Sequence, residues 1–80
     1  MTLTRKIEVL REYEKDCYRI CYFLLECERR AEDAAKDALY QLCCDASFFV
    51  QPPAAQKKRV RRTAVEHALA LGDFVATAQA

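Results

Sequence analysis

The chain has no tryptophan, one glycine and two prolines among its 80 residues. Sheets joined by tight turns need more glycine and proline than this, so a mostly β fold is excluded. It also lacks an excess of either charge, with 13 Lys+Arg against 12 Asp+Glu. The simplest argument for nucleic-acid binding, a strongly basic chain, is therefore missing. Long apolar runs are absent too. The longest, Ile20 to Leu25, has six residues, and a spanning helix needs about 20. No apolar segment of signal-peptide type follows the start at Met1, so a cytoplasmic protein without a membrane role is expected. Histidine occurs once, as His67 beside Glu66. With no Ser/His/Asp set, no glycine-rich phosphate loop and no paired candidate bases, neither an enzyme nor a cofactor is expected.

Hydrophobic residues make up 52% of the chain, too many for a disordered tail. At this length one small domain buries only about 60% of its unfolded surface. Support from a partner, or from a second copy in a homodimer, is expected. Cysteine is the one enriched type, at positions 17, 21, 27, 43 and 44. The odd number and the missing secretion signal argue against a disulfide framework. Cys17 and Cys21 share a helix face, and Cys43 or Cys44 with His67 could complete a thiolate metal site. The spacing fits no standard zinc ligand set, so no metal is assigned. Burial as small apolar residues is the simpler reading.

Apolar residues recur at Leu3, Ile7, Leu10, Tyr13, Cys17, Ile20, Leu24 and Cys27, in steps of three and four. That spacing predicts a first helix over about 4–27. Glu8/Arg11, Glu12/Lys15 and Asp16/Arg19 line its solvated face at i,i+3. Tyr18, Tyr22 and Phe23 broaden the apolar side and are expected to pack in the core. A second helix is predicted over about 31–47, from Ala31, Ala34, Ala35, Ala38, Leu39, Leu42, Cys43 and Ala46. No Gly or Pro marks the break between the two. Pro52 and Pro53 end the second helix, with Phe48 and Phe49 capping the core beneath the loop. A third helix is predicted over about 54–76, with Val60, Ala64, Ala68, Leu71 and Val75 inward. The expected fold is all-α, a three-helix antiparallel bundle in one domain.

The near-zero total hides a segregation. Residues 31–50 carry Lys36 against Glu32, Asp33, Asp37 and Asp45, net −3, while residues 51–80 carry five cations against Glu66 and Asp73, net +3. The cations are concentrated at Lys57, Lys58, Arg59, Arg61 and Arg62. Such a cluster on a helix can neutralise phosphates and orient a protein on DNA. It can equally be a solubilising surface or a partner for the acidic second helix.

Tyr18-Arg-Ile-Cys-Tyr-Phe-Leu-Leu25, five residues, then Ala31-Glu-Asp-Ala-Ala-Lys-Asp-Ala-Leu39 resembles region 2 of the extracytoplasmic-function sigma factors. There a Tyr-Arg…Leu-Leu helix end is followed at this spacing by Ala-Glu-Asp-x-x-Gln-(Asp/Glu)-x-Phe. An aromatic close, a loop and a basic helix follow in the same order, so the resemblance covers roughly residues 10–72. It implies a helix docking on the clamp helices of the RNA polymerase largest subunit. Glu32, Asp33, Lys36 and Asp37 hold the matching positions, with Lys36 in place of the family's glutamine and Leu39 in place of its phenylalanine. Lys57, Lys58, Arg59, Arg61 and Arg62 fall where the family reads promoter DNA. The family opens that helix with Trp and other aromatics, which are missing here, so strand capture is expected to be weak. No second DNA-binding domain is found within the 80 residues. The expectation is a reduced sigma-like accessory that binds RNA polymerase core or a sigma-type partner, with DNA contact through the third helix. A helical self-association or adaptor module and a cysteine-based metal or redox sensor are the alternatives.

Overall fold

The first helix needs a start signal, and Thr2 supplies it. In the computed structural model, which describes residues 1–72, its hydroxyl accepts a hydrogen bond from the Arg5 amide at 3.2 Å. Helix α1 (Leu3–Leu25) runs from this cap. It stops without glycine or proline. Glu26 adopts the left-handed conformation (φ 53°, ψ 33°), and its amide donates to the Tyr22 carbonyl at 2.8 Å. Cys27 is extended, and α2 (Glu28–Cys43) begins one residue later. The break expected around 27–30 is thus two residues wide and lies earlier. A non-glycine residue at this φ costs about 1–2 kcal/mol. Glu26→Gly is expected to raise stability by about 1 kcal/mol, read as an increased melting temperature by circular dichroism.

The second helix also ends sooner than the spacing predicts, at Cys43 rather than near 47. Asp45 is the reason. It turns extended, and its carboxylate accepts from the Ser47 amide at 3.0 Å and the Ser47 hydroxyl at 2.6 Å, opening a new short helix, α3 (Ala46–Phe49). Helix α4 (Pro53–Gly72) starts with proline in its first position, where no intrahelical donor is needed. The expected stretch 73–76, with Val75, lies outside the described residues.

The described residues are all helical apart from caps and connections, with four helices rather than three. Helices α1, α2 and α4 each pack against the other two, and α3 lies against α2 and α4. The seam is lined with small residues. Ala31, Ala34, Ala35 and Ala38 of α2 are buried, as are Ala64 and Ala68 of α4, which lets helix backbones approach closely. Leu10, Leu42, Val60 and Phe48 fill the remaining space. Phe48 does more than cap a loop. It is 0% exposed, and its ring meets Tyr13 edge-on at 6.2 Å and Phe49 at 5.1 Å. Buried Gln56 ties three helices together, accepting from the Tyr13 hydroxyl at 2.9 Å and donating to the Phe48 carbonyl at 3.1 Å.

Two expectations about the surface are corrected. Leu3, Ile7 and Leu24 of the α1 stripe and Leu71 of α4 are exposed rather than inward. Tyr22 and Phe23 are also exposed, Phe23 at 80%, while Tyr18 alone of that trio packs against the core. No helix among the described residues is long and apolar enough to cross a membrane.

Candidate macromolecular interfaces

Burial of Ala31, Ala34, Ala35 and Ala38 fixes what α2 shows outward. Glu32, Asp33, Lys36 and Asp37 lie between those alanines on the opposite side, and all four are exposed. Three carboxylates within two turns make this face acidic, with Lys36 among them. Beside it a groove of about 610 Å³ runs between α1 and α2. Tyr18, Ala35 and Leu39 supply its apolar part, and Glu14, Glu32 and Lys36 are among its charged residues. Tyr18 stacks on Tyr22 with ring centroids 6.0 Å apart. Burial, then the nearby Glu28 and Glu32 carboxylates, push the Tyr18 phenol above its usual value.

On α4, burial of Gln56, Val60, Thr63 and Ala64 turns Lys57, Lys58, Arg61 and Arg62 to solvent. Arg59 differs from the expectation of five outward cations. Its side chain is only 20% exposed, and Nη2 donates to Asp45 Oδ2 at 2.8 Å. The residue faces the end of α2 and the α3 cap, where Asp45 engages one of its nitrogens. Among the described residues the ion pairs are Arg5–Glu8, Asp16–Arg19 and Arg59–Asp45. None joins Glu32, Asp33 or Asp37 to the α4 cluster. Helix α4 carries no phenylalanine, tyrosine or tryptophan, and Phe48 and Phe49 are buried. The basic helix therefore offers charge without a stacking platform.

The Ser47 hydroxyl and then Arg59 hold the Asp45 carboxyl down to about 2. A carboxyl depressed in the folded state contributes stability that is complete above its unfolded value, about 3.9, and is lost as pH falls toward 2. Wild type should therefore melt higher than Asp45→Asn at neutral pH, with the gap closing between about pH 4 and pH 2. Melting temperatures of both proteins across that range check this.

The cysteines separate into two groups. Cys17 and Cys21 are buried, their thiols donating to the carbonyls of Ala35 at 3.8 Å and Ala64 at 3.7 Å. The hydrogen bond to neighbouring Cys21, with burial, pushes the Cys17 thiol up, away from the reactive thiolate. Cys44 is exposed, and Cys27 and Cys43 are partly covered. His67 sits instead against Gln41, with Nε2 and Oε1 2.6 Å apart. Among the described residues no group of three or more His, Cys, Asp or Glu side chains is placed to hold a metal ion. Under native conditions a maleimide reagent should modify Cys44 first and spare Cys17 and Cys21 until the protein unfolds, as peptide mass mapping over time would record.

Comparison with known proteins leaves these surfaces without a relative: no family model, curated protein or solved structure matches the chain.

Proposed function

We propose that the chain is a sigma region 2-like transcription accessory of the cytoplasm, its three long helices forming the bundle of that region. In this reading the acidic face of α2 docks on core RNA polymerase or a sigma-type partner. Glu32, Asp33 and Asp37 make the polar contacts, and the basic helix α4 lies along DNA phosphates. One observation carries the reading. The acids of α2 and the exposed bases of α4 do not neutralise one another, so both remain for other macromolecules. The Tyr18–Leu39 sequence pattern supports it at the same positions. Because α4 lacks aromatic side chains, DNA contact is electrostatic positioning rather than base capture.

The test is equilibrium binding to purified core RNA polymerase, with duplex DNA titrated separately over a range of salt. Polymerase is expected to bind, and DNA affinity to fall with salt at a logarithmic slope of about −3 to −4. That slope corresponds to the four exposed cations. Absence of polymerase binding together with salt-independent or absent DNA binding would overturn the reading. A second reading, self-association, is favoured by exposed Leu3 and Ile7 at one end of α1. Sedimentation equilibrium decides it: a concentration-dependent dimer supports it, and a monomer at all concentrations removes it.

A further inference from the structure

The basic face of α4 is not uniform. Lys58, Arg59 and Arg62 line a cleft of about 530 Å³ with Gln51 and Ala55, whereas Lys57 and Arg61 do not border it. No carboxylate lines this cleft. Asp45, beside Arg59, is engaged by Arg59 through Nη2 and by the Ser47 hydroxyl and amide. Two polar atoms of the lining residues, Arg59 Nε and Gln51 Oε1, are buried without a hydrogen-bond partner. Orphaned buried groups are rare and costly, and a ligand commonly satisfies them.

From this combination we infer that the cleft is a binding site for a single phosphate group, held by Lys58, Arg62 and an Arg59 guanidinium that Asp45 has already oriented. The chemistry fits each part. Three cations line one concave surface with no carboxylate among the lining residues, and Asp45 outside it engages only Nη2 of Arg59. Arginine presents several N–H donors in one plane, matching phosphate oxygens. Asp45 occupies one nitrogen, Nη2, and so fixes the plane, leaving Nη1 to donate. Gln51 can turn its amide by half a rotation and offer Nε2–H to the same anion. Ala55, with only a methyl group, keeps the α4 side of the cleft open. The phosphate can come from a phosphodiester of nucleic acid or from a small free phosphate. The inference rests on the proposed DNA-facing role of α4 only for the first source.

The experiment is amide-resonance titration by NMR with inorganic phosphate, using sodium chloride at matched ionic strength as the reference. Saturable shifts centred on Gln51, Ala55, Lys58 and Arg62 are expected with phosphate and not with chloride. The variant pair Lys58→Ser/Arg62→Ser should weaken phosphate binding roughly tenfold or more, while Lys57→Ser/Arg61→Ser stays within about twofold. All four side chains are exposed, and a melting curve of each variant verifies its fold. A short oligothymidylate is then added to the phosphate-saturated protein. Displacement at the same resonances assigns the site to nucleic-acid phosphodiesters; retention of phosphate assigns it to a small phosphate. Either outcome supports the cleft. Equal effects of phosphate and chloride, or equal losses in the two variant pairs, would overturn it. Polymerase binding by the Lys58→Ser/Arg62→Ser protein distinguishes this failure from failure of the α2 docking surface.

Discussion

Replacing Phe48 by alanine should cost about 3–5 kcal/mol, a large share of the roughly 4–12 kcal/mol available to a domain of this size. Phe48 is the largest fully buried side chain among the described residues, and it comes from a helix of only four residues. Its ring fills the space that α1, α2 and α4 leave between them, with Tyr13 and Phe49 edge-on against it. Alanines on α2 and α4 cannot expand into the void, so relaxation is limited and the cavity term stays large. The Gln56 amide loses nothing directly, because it donates to the Phe48 backbone carbonyl, which the variant keeps. Melting by circular dichroism should fall by at least about 15 °C. Phe49→Ala, at the rim beside Lys6, should fall by less. Equal losses at the two positions would mean that the core is centred elsewhere.

On the proposed docking, reversing the charge of α2, as Glu32→Lys/Asp33→Lys/Asp37→Lys, should abolish polymerase binding while leaving the fold in place. All three side chains are exposed, and none is in an ion pair among the described residues. The melting temperature should therefore move by only a few degrees. Across an interface, like charges brought together disfavour the complex strongly, and a loss of about a hundredfold or more in affinity is expected. Lys36 gives the opposite control. Lys36→Gln places an uncharged residue among the three carboxylates and restores the pattern that the sequence resembles, so it should tighten binding. Titration of each variant against core polymerase, beside its melting curve, checks both directions. A folded triple variant that binds as wild type does would remove α2 as the proposed docking surface.

Much of this arrangement could be read from residue spacing because it depends on helical periodicity. Ala31, Ala34, Ala35, Ala38 and Leu42 fall on one face of α2, and Val60, Ala64 and Ala68 on one face of α4; all are buried. The stops were harder to read. Glu26 ends α1 in a conformation that glycine usually marks, and nothing about glutamate signals it. Asp45 looks like one more acid at the end of a helix until its carboxylate is seen capping Ser47. Tyr22 and Phe23 read as core because aromatics usually are, yet both are exposed among the described residues. Arg59 sits within a run of cations, and only the return of the chain through α3 brings Asp45 within 2.8 Å. The Glu26 and Asp45 stops are local cap geometry that apolar spacing does not encode, and only the Arg59–Asp45 pair joins segments far apart in sequence.

The most direct measurement is an amide-resonance map of the protein on adding an isolated clamp-helix fragment of the polymerase largest subunit. Shifts concentrated on residues 32–37 and the neighbouring Tyr18–Leu39 groove, fading as salt is raised, are the expected result. An unchanged spectrum, or shifts confined to Leu3 and Ile7, would contradict it.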